Sequence, residues 1–277
     1  LGGLFFIFTK KPSCTESKIA ILVADFANKD KDTDTDAFAN TMVTRIKNTL
    51  DNSMYDVSEI GYESTTVRKY DDYIRTKHFE STCDTSGLFV NGFLSLEQEV
   101  FNVNITMANL VMQANEFSDK SSINLDNPSG IQFSISNDAS FVADFIIGIL
   151  KSYEGKPYEA LNMFFELEKN DGQEILKKDK NIKANFAYFK GNCYALRGDY
   201  ERANREYDVA VKNGSPELRK ASTNNKKIAV EINQKIKSDP IASKKLIQYF
   251  GVSDCTSLYS FPLRDTKPFD RLNNQIT

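Results

Sequence analysis

Four aspartates alternate through one polar stretch, Asp30, Asp32, Asp34 and Asp36, and alternating carboxylates are how a loop wraps a calcium ion. A calcium loop of the helix–loop–helix kind, counted from Asp30, wants glycine at its sixth place and a bidentate glutamate at its twelfth, where this chain has Thr35 and Thr41. The stretch is read instead as an acidic loop set against the positive end of a following helix. His78 is the only histidine and closes an apolar stripe with no nucleophile marked out beside it, so it reads as a packed residue rather than a base or a ligand. Cys14, Cys83, Cys193 and Cys255 lie far apart without a C-x-x-C pair, which supports neither zinc nor a disulfide framework, although an even count leaves bridges open outside the cytosol. The chain has no Gly-rich phosphate loop, no G-x-S-x-G and no H-E-x-x-H. The expectation is a protein with no catalytic residues, no metal and no cofactor. Carboxylates brought together only by folding leave no linear mark, so an enzyme or a small-molecule binder is the alternative.

Of the 277 residues, 40% are hydrophobic and 26% charged, enough apolar surface for packed domains, and the length favours two modest ones. Thirty-five basic against 38 acidic residues give a net charge of -3, too balanced for a general attraction to nucleic acid or anionic lipid. Residues 212–245 are locally basic, with nine Lys/Arg against Glu217, Glu231 and Asp239. They read as a solvated helix face, and Arg219 is the only arginine there to read a nucleic acid.

The elements that position these residues begin with Lys18–Phe26, a continuous apolar run of strand length that suits a central strand buried on both faces. Phe38, Met42, Val43, Ile46 and Leu50 then recur at helical spacing, with Asp34 or Asp36 as N-cap. Residues 55–62 predict a second strand, and Val67, Tyr70, Ile74 and His78 a second helix. Leu88–Leu94 reads as a strand, Leu96–Val100 as a hairpin turn, and Phe101, Val103, Ile105 and Met107 as the dry side of an antiparallel strand. Ile131, Phe133 and Ile135 predict an edge strand after the polar stretch Asn115–Gly130. The Ile19–Phe26 run, the polar loop, the amphipathic helix and the later Gly-Leu-Phe-Val-Asn-Gly-Phe strand together resemble the TolB-type amino-terminal α/β domain of bacterial proteins, over about residues 18–112. That resemblance implies a binding or assembly module without catalytic residues, often followed by tetratricopeptide repeats.

From Ser140 the period becomes helical, with Asn137 or Asp138 as cap. Gly191-Asn-Cys-Tyr-Ala-Leu-Arg-Gly-Asp-Tyr-Glu-Arg-Ala203, continuing to Tyr207 and Ala210, resembles the tetratricopeptide repeat, with Gly191 and Ala203 where two helices touch and Gly198-Asp199-Tyr200 as their turn. Similar spacing recurs in Gly148, Gly155, Tyr158, Ala160, Phe164 and Leu167, with Gly148 and Ala160 each 43 residues ahead of Gly191 and Ala203 and Tyr158 one place later than the matching aromatic. The usual unit is about 34 residues, which puts the surplus in Asn170–Lys183 as a longer second helix or a loop. Pro157 stands where the turn normally has its aromatic, so a distorted first corner is expected. Leu218 to Ile236 predict a basic capping helix, and Ile241–Phe250 a shorter one.

The fold class read from this is α+β: 1–17 a membrane anchor or signal remnant and linker, 18–136 a small α/β sheet domain, 137–250 helical hairpins with capping helices, and 251–277 an irregular tail. Leu1–Thr9 followed by Lys10-Lys11 predicts the end of a membrane segment with the remainder on the cytoplasmic side; a lipoprotein signal ending at Cys14, with a periplasmic location, is the rival. Stacked hairpins present a concave surface that usually holds a peptide or helix of another protein. Alignment on the two glycines puts Phe145, Ile149 and Tyr153 (with Val142 and Ser152) on that face in the first unit, and Asn185, Tyr188, Asn192 and Leu196 (with Ala195) in the second. The function expected is non-catalytic protein–protein interaction through these seven residues. Their apolar lining equally suits a face already covered by the chain's own α/β domain.

Overall fold

Every residue of Ile19–Ala24 (β1) is apolar, and the fold buries both sides of it: Ile21 and Val23 join the large core beneath the helices, while Leu22 and Ala24 meet Phe89 on the other face. The computed structural model in which this is seen describes residues 18–24, 26, 36–51, 54–60, 86–95, 99–108, 125–128, 130–136, 138–169 and 172–238. β1 runs parallel to both Tyr55–Ile60 (β2) and Ser86–Ser95 (β3), Val100–Ala108 (β4) is antiparallel to β3, and Gly130–Ile135 (β5) is antiparallel to β4. The order β2-β1-β3-β4-β5 makes one mixed sheet. Parallel neighbours need a crossover, and Asp36–Thr49 (α1) supplies the one from β1 to β2. Asp36 is the first residue of α1 rather than a cap outside it. Val100 belongs to β4, paired with Ser95, so the hairpin turn is shorter than expected. Alternation in β4 sends Phe101, Val103, Ile105 and Met107 into the core and leaves Asn102, Asn104 and Thr106 half-buried. Phe38 of α1 stacks on Phe101 with ring centres 4.0 Å apart, and Phe26 meets both edge-on.

Six further helices follow among the described residues: Ala139–Tyr153 (α2), Pro157–Lys169 (α3), Gly172–Lys178 (α4), Lys180–Leu196 (α5), Tyr200–Asn213 (α6) and Pro216–Ser238 (α7). Asp138 caps α2, its Oδ1 accepting the Phe141 N–H at 2.8 Å. α2 with α3, and α5 with α6, form helical hairpins that approach closely because the contact residue is glycine. A Cβ on Gly148 would come within 2.5 Å of the Phe164 ring, and one on Gly191 within 2.7 Å of the Tyr207 ring. Both turns use a glycine in the left-handed region, Gly155 at φ 71 and Gly198 at φ 76. The expected distortion at Pro157 is absent. Proline opens α3 as Tyr200 opens α6, since the first helical position needs no N–H and suits proline's fixed φ. The surplus before the second hairpin is neither a longer helix nor a plain loop; it holds the separate short helix α4 and the first turn of α5.

The two halves share one hydrophobic core, which runs across residue 137, where the sequence reading divides the chain. The reason is α2, which is apolar on nearly every side and so must be buried all round: twelve of its fifteen residues are inside. Its Phe145 stacks on Phe186 of α5 at 4.6 Å and meets Phe133 of β5 edge-on at 5.9 Å, joining sheet to helices. Asp179 makes a second joint. Its Oδ1 caps α5 by accepting from Asn181 and Ile182, while Oδ2 accepts the Ser134 N–H at 2.8 Å on the outer strand β5. An exposed strand edge invites pairing with other chains, and here a helix terminus covers it.

The acidic residues Asp30, Asp32 and Asp34, the stripe ending at His78, the stretch Ile241–Phe250, the tail 251–277, residues 1–17, and Cys14, Cys83 and Cys255 lie outside the described residues. No helix among the described residues is long and apolar enough to cross a membrane.

Candidate functional site

Asn185, Tyr188 and Asn192 sit at three- and four-residue spacing along α5 and so share one side of it. α7 runs beside α5 and brings Asn225 next to Tyr188 and Asn192. Into the angle between these helices comes Leu125-Asp126-Asn127-Pro128, the four residues described ahead of β5, with Leu125 and Pro128 buried. Asn225, itself fully buried, accepts the Asp126 N–H on its side-chain oxygen at 2.7 Å and donates its amide to the Asp126 carbonyl at 3.0 Å. The N–H and C=O of one residue face the same way only in extended backbone, so the carboxamide pairs with Asp126 as a neighbouring strand would.

The Tyr188 hydroxyl donates to the same Asp126 carbonyl and lies 3.5 Å from the Asn127 side-chain oxygen. Asn192 supports the arrangement from behind: its oxygen accepts from Asn225 at 3.0 Å and from the Tyr207 hydroxyl at 2.9 Å. Half-buried Asn224 donates to the Asp126 carboxylate at 2.6 Å. Burial pushes the Tyr188 phenol well above its ordinary range, against the opposing hydrogen bonds of Asn192 and Asn225, and burial raises Tyr207 likewise. Both stay protonated donors. This set of amides and phenols can hold a peptide main chain, and it supplies neither a nucleophile nor a proton-transfer group of matched pKa.

The seven residues expected on a concave face are all buried by the chain itself. Phe145 and Ile149 lie in the core under the sheet, Tyr153 directs its hydroxyl to Met107 Sδ at 3.5 Å, and Asn185 reaches the Gln132 carbonyl of β5 at 3.5 Å. Leu196 is in the same core. An open groove is therefore not what these residues line: the sheet fills the part beside α2 and the start of α5, and Leu125–Pro128 fills the part between α5 and α7. The physical reason is that α2 has no side left over for a partner once the sheet is covered.

Sequence reasoning did not single out Asn224, Asn225 or Leu125–Pro128. One signal was present, for Asn225 follows Asn192 by 33 residues, close to the period of a helical repeat.

Two ionic clusters lie elsewhere. The Glu154 side chain, 3% exposed, accepts from the Tyr55 hydroxyl, from Lys156 at 2.7 Å and from Lys151 at 3.2 Å, tying β2 to the turn before α3. Desolvation opposes its ionisation, but the hydrogen bonds from Lys156, Tyr55 and Lys151 outweigh that and hold the carboxyl below its ordinary value. In a cleft between α3, α4, α5 and α6, Lys190 lies 2.9 Å from Glu168 and 3.2 Å from Glu206. Desolvation works against its charge, yet the two carboxylates keep its pKa raised, while burial raises that of Glu206. Glu154 thus sits between two lysines and Lys190 between two glutamates, each central charge held by opposite charges on both sides. Among the described residues, no group of three His, Cys, Asp or Glu side chains is placed to hold a metal ion.

The chain matches no family model, no curated protein and no solved structure.

Proposed function

We propose that this protein is a non-catalytic interaction protein, tethered through its N-terminal segment, whose helices α5 and α7 form a face for an extended segment of another protein. The observation that carries the reading is the pairing of one buried carboxamide, Asn225, with both main-chain groups of Asp126. Main-chain pairing gives affinity without depending on sequence, which is how strand-like recognition of peptides works. The glycine contacts at Phe164 and Tyr207 and the paired left-handed turns support a tetratricopeptide-type reading of the two hairpins, and the mixed sheet ahead of them is compatible with the TolB-type one.

The test uses the full chain carrying Leu125→Ser and Pro128→Ser, which weakens the hold of the internal segment. A fluorescein-labelled peptide with the sequence of residues 122–129 is titrated in and followed by anisotropy. Saturable binding that disappears when Asn225→Ala is added supports the reading. If the freed chain stays folded by circular dichroism and binds nothing, the face is internal packing and the reading is wrong.

A further inference from the structure

Lys183, Phe186, Ala187 and Lys190 recur at three- and four-residue spacing along α5 and share the side of it opposite to Asn185, Tyr188 and Asn192. That side faces the cleft between α3, α4, α5 and α6, which holds about 390 Å³ and so falls within the range of small-molecule pockets. Its floor is apolar. Phe186 and Ala187 are buried there, and half-buried Leu176 of α4 and Val209 of α6 form walls. The cleft therefore offers hydrocarbon to the body of a ligand.

The charges around it fall into two sets. Lys190 is satisfied by Glu168 at 2.9 Å and Glu206 at 3.2 Å, and its side chain is only 9% exposed. Lys177 and Lys183 line the same cleft, are exposed, and take part in no ion pair among the described residues. Three lysines against two glutamates leave the lining with a surplus of positive charge, and the uncommitted cations are the two exposed ones. Lys183 gains nothing from its own helix, because it is the fourth residue of α5 and lies toward the positive end of the helix dipole. A bound anion offsets that. A doubly charged anion such as phosphate would also meet Glu168 and Glu206, so a singly charged group suits the lining better.

From the apolar floor and the two uncommitted lysines we infer that this cleft binds a small amphiphilic carboxylate. Its hydrocarbon body lies on Phe186, Leu176 and Val209, and its carboxylate is drawn to Lys177 and Lys183. The site is on the other side of α5 from the proposed peptide face, so neither reading depends on the other.

The probe is octanoate, with hexanoate as its shorter counterpart and octanol as its uncharged one, in equilibrium dialysis against the full chain. Octanoate should bind saturably, and about tenfold or more tightly than hexanoate, since each buried methylene contributes about fourfold. Octanol should bind more weakly than octanoate. In the full chain carrying Lys177→Gln and Lys183→Gln, both at exposed positions, octanoate should weaken by about twofold to tenfold while octanol is unchanged. A measurement on the wild-type chain reads the location. Octanoate should slow acetylation of Lys177 and Lys183, followed by peptide mapping, and leave Lys227, 76% exposed on α7, as it was. Absence of saturable octanoate binding would overturn the site. Equal affinity for octanoate and octanol, or an octanoate affinity that the lysine replacements leave unchanged, would overturn the carboxylate assignment. Equal affinity for hexanoate and octanoate would overturn burial of the body, and unprotected Lys177 and Lys183 would overturn the location.

Discussion

Replacing Gly191 with alanine sets two known effects against each other at the closest approach of α5 and α6. Alanine favours a helix interior over glycine by about 1 kcal/mol, so an open site would gain stability. The site is not open: the new Cβ would lie 2.7 and 2.8 Å from two carbons of the Tyr207 ring, against an ordinary carbon–carbon contact of about 3.5–4.0 Å. The ring must retreat by most of an ångström. Tyr207 is fully buried, and its hydroxyl is held by Asn192 at 2.9 Å, so it cannot swing into solvent. Overpacking of this kind costs about 1–3 kcal/mol, and a strained or broken hydroxyl bond about 1 kcal/mol more. After the helix gain the net expectation is a loss of about 1–3 kcal/mol, a fall in melting temperature of about 2–4 °C per kcal/mol in a chain of this size. Urea denaturation followed by circular dichroism measures it, with an unchanged slope showing that the native state keeps its compactness. Gly148→Ala, facing Phe164 at 2.5 Å, should behave alike. A neutral or stabilising Gly191→Ala would refute the argument, because it would mean the Tyr207 ring is free to yield.

Glu154→Gln tests the joint between sheet and helices. The folded carboxyl lies below its ordinary value of 4.5, so its contribution is present above that pH and is lost as the pH falls through the lower folded value. The variant should unfold at lower urea than the wild type at neutral pH, and the gap should close in acid; a gap that stays constant with pH would sink the reading. Cys193 is fully buried and burial pushes its thiol well above the ordinary range, so iodoacetamide should leave it unmodified in the native protein and alkylate it in urea. Peptide mapping at Cys193 decides this, and native labelling would place it nearer the surface than the packing allows.

Local pattern was enough to place most elements. β1 is legible because an unbroken apolar run of strand length suits burial on both sides, and β4 because strict alternation fits a sheet with one wet face. Both hairpins announce themselves through glycine at a helix contact and glycine at a left-handed turn, requirements of backbone geometry that few other residues meet. A cap at Asn137 or Asp138 is legible because a short polar side chain before an apolar helix has N–H groups to satisfy, and the structure selects Asp138.

What the sequence by itself determined is therefore the α+β succession, the hairpins and the residues that would face inward from them. The tertiary structure alone decided what covers those residues. Phe145, Ile149 and Tyr153 carry no mark that distinguishes a groove for a partner from the underside of a sheet, because burial against either looks identical in one dimension. The pairing of Asn225 with Asp126 joins positions 99 residues apart, and on the Asp126 side it uses main-chain groups that every residue possesses, so nothing in residue type marks Asp126 as the partner of the Asn225 carboxamide. The sharing of one core across residue 137 follows from α2 being apolar all round, a property visible in its letters but with a meaning set by the neighbours that surround it.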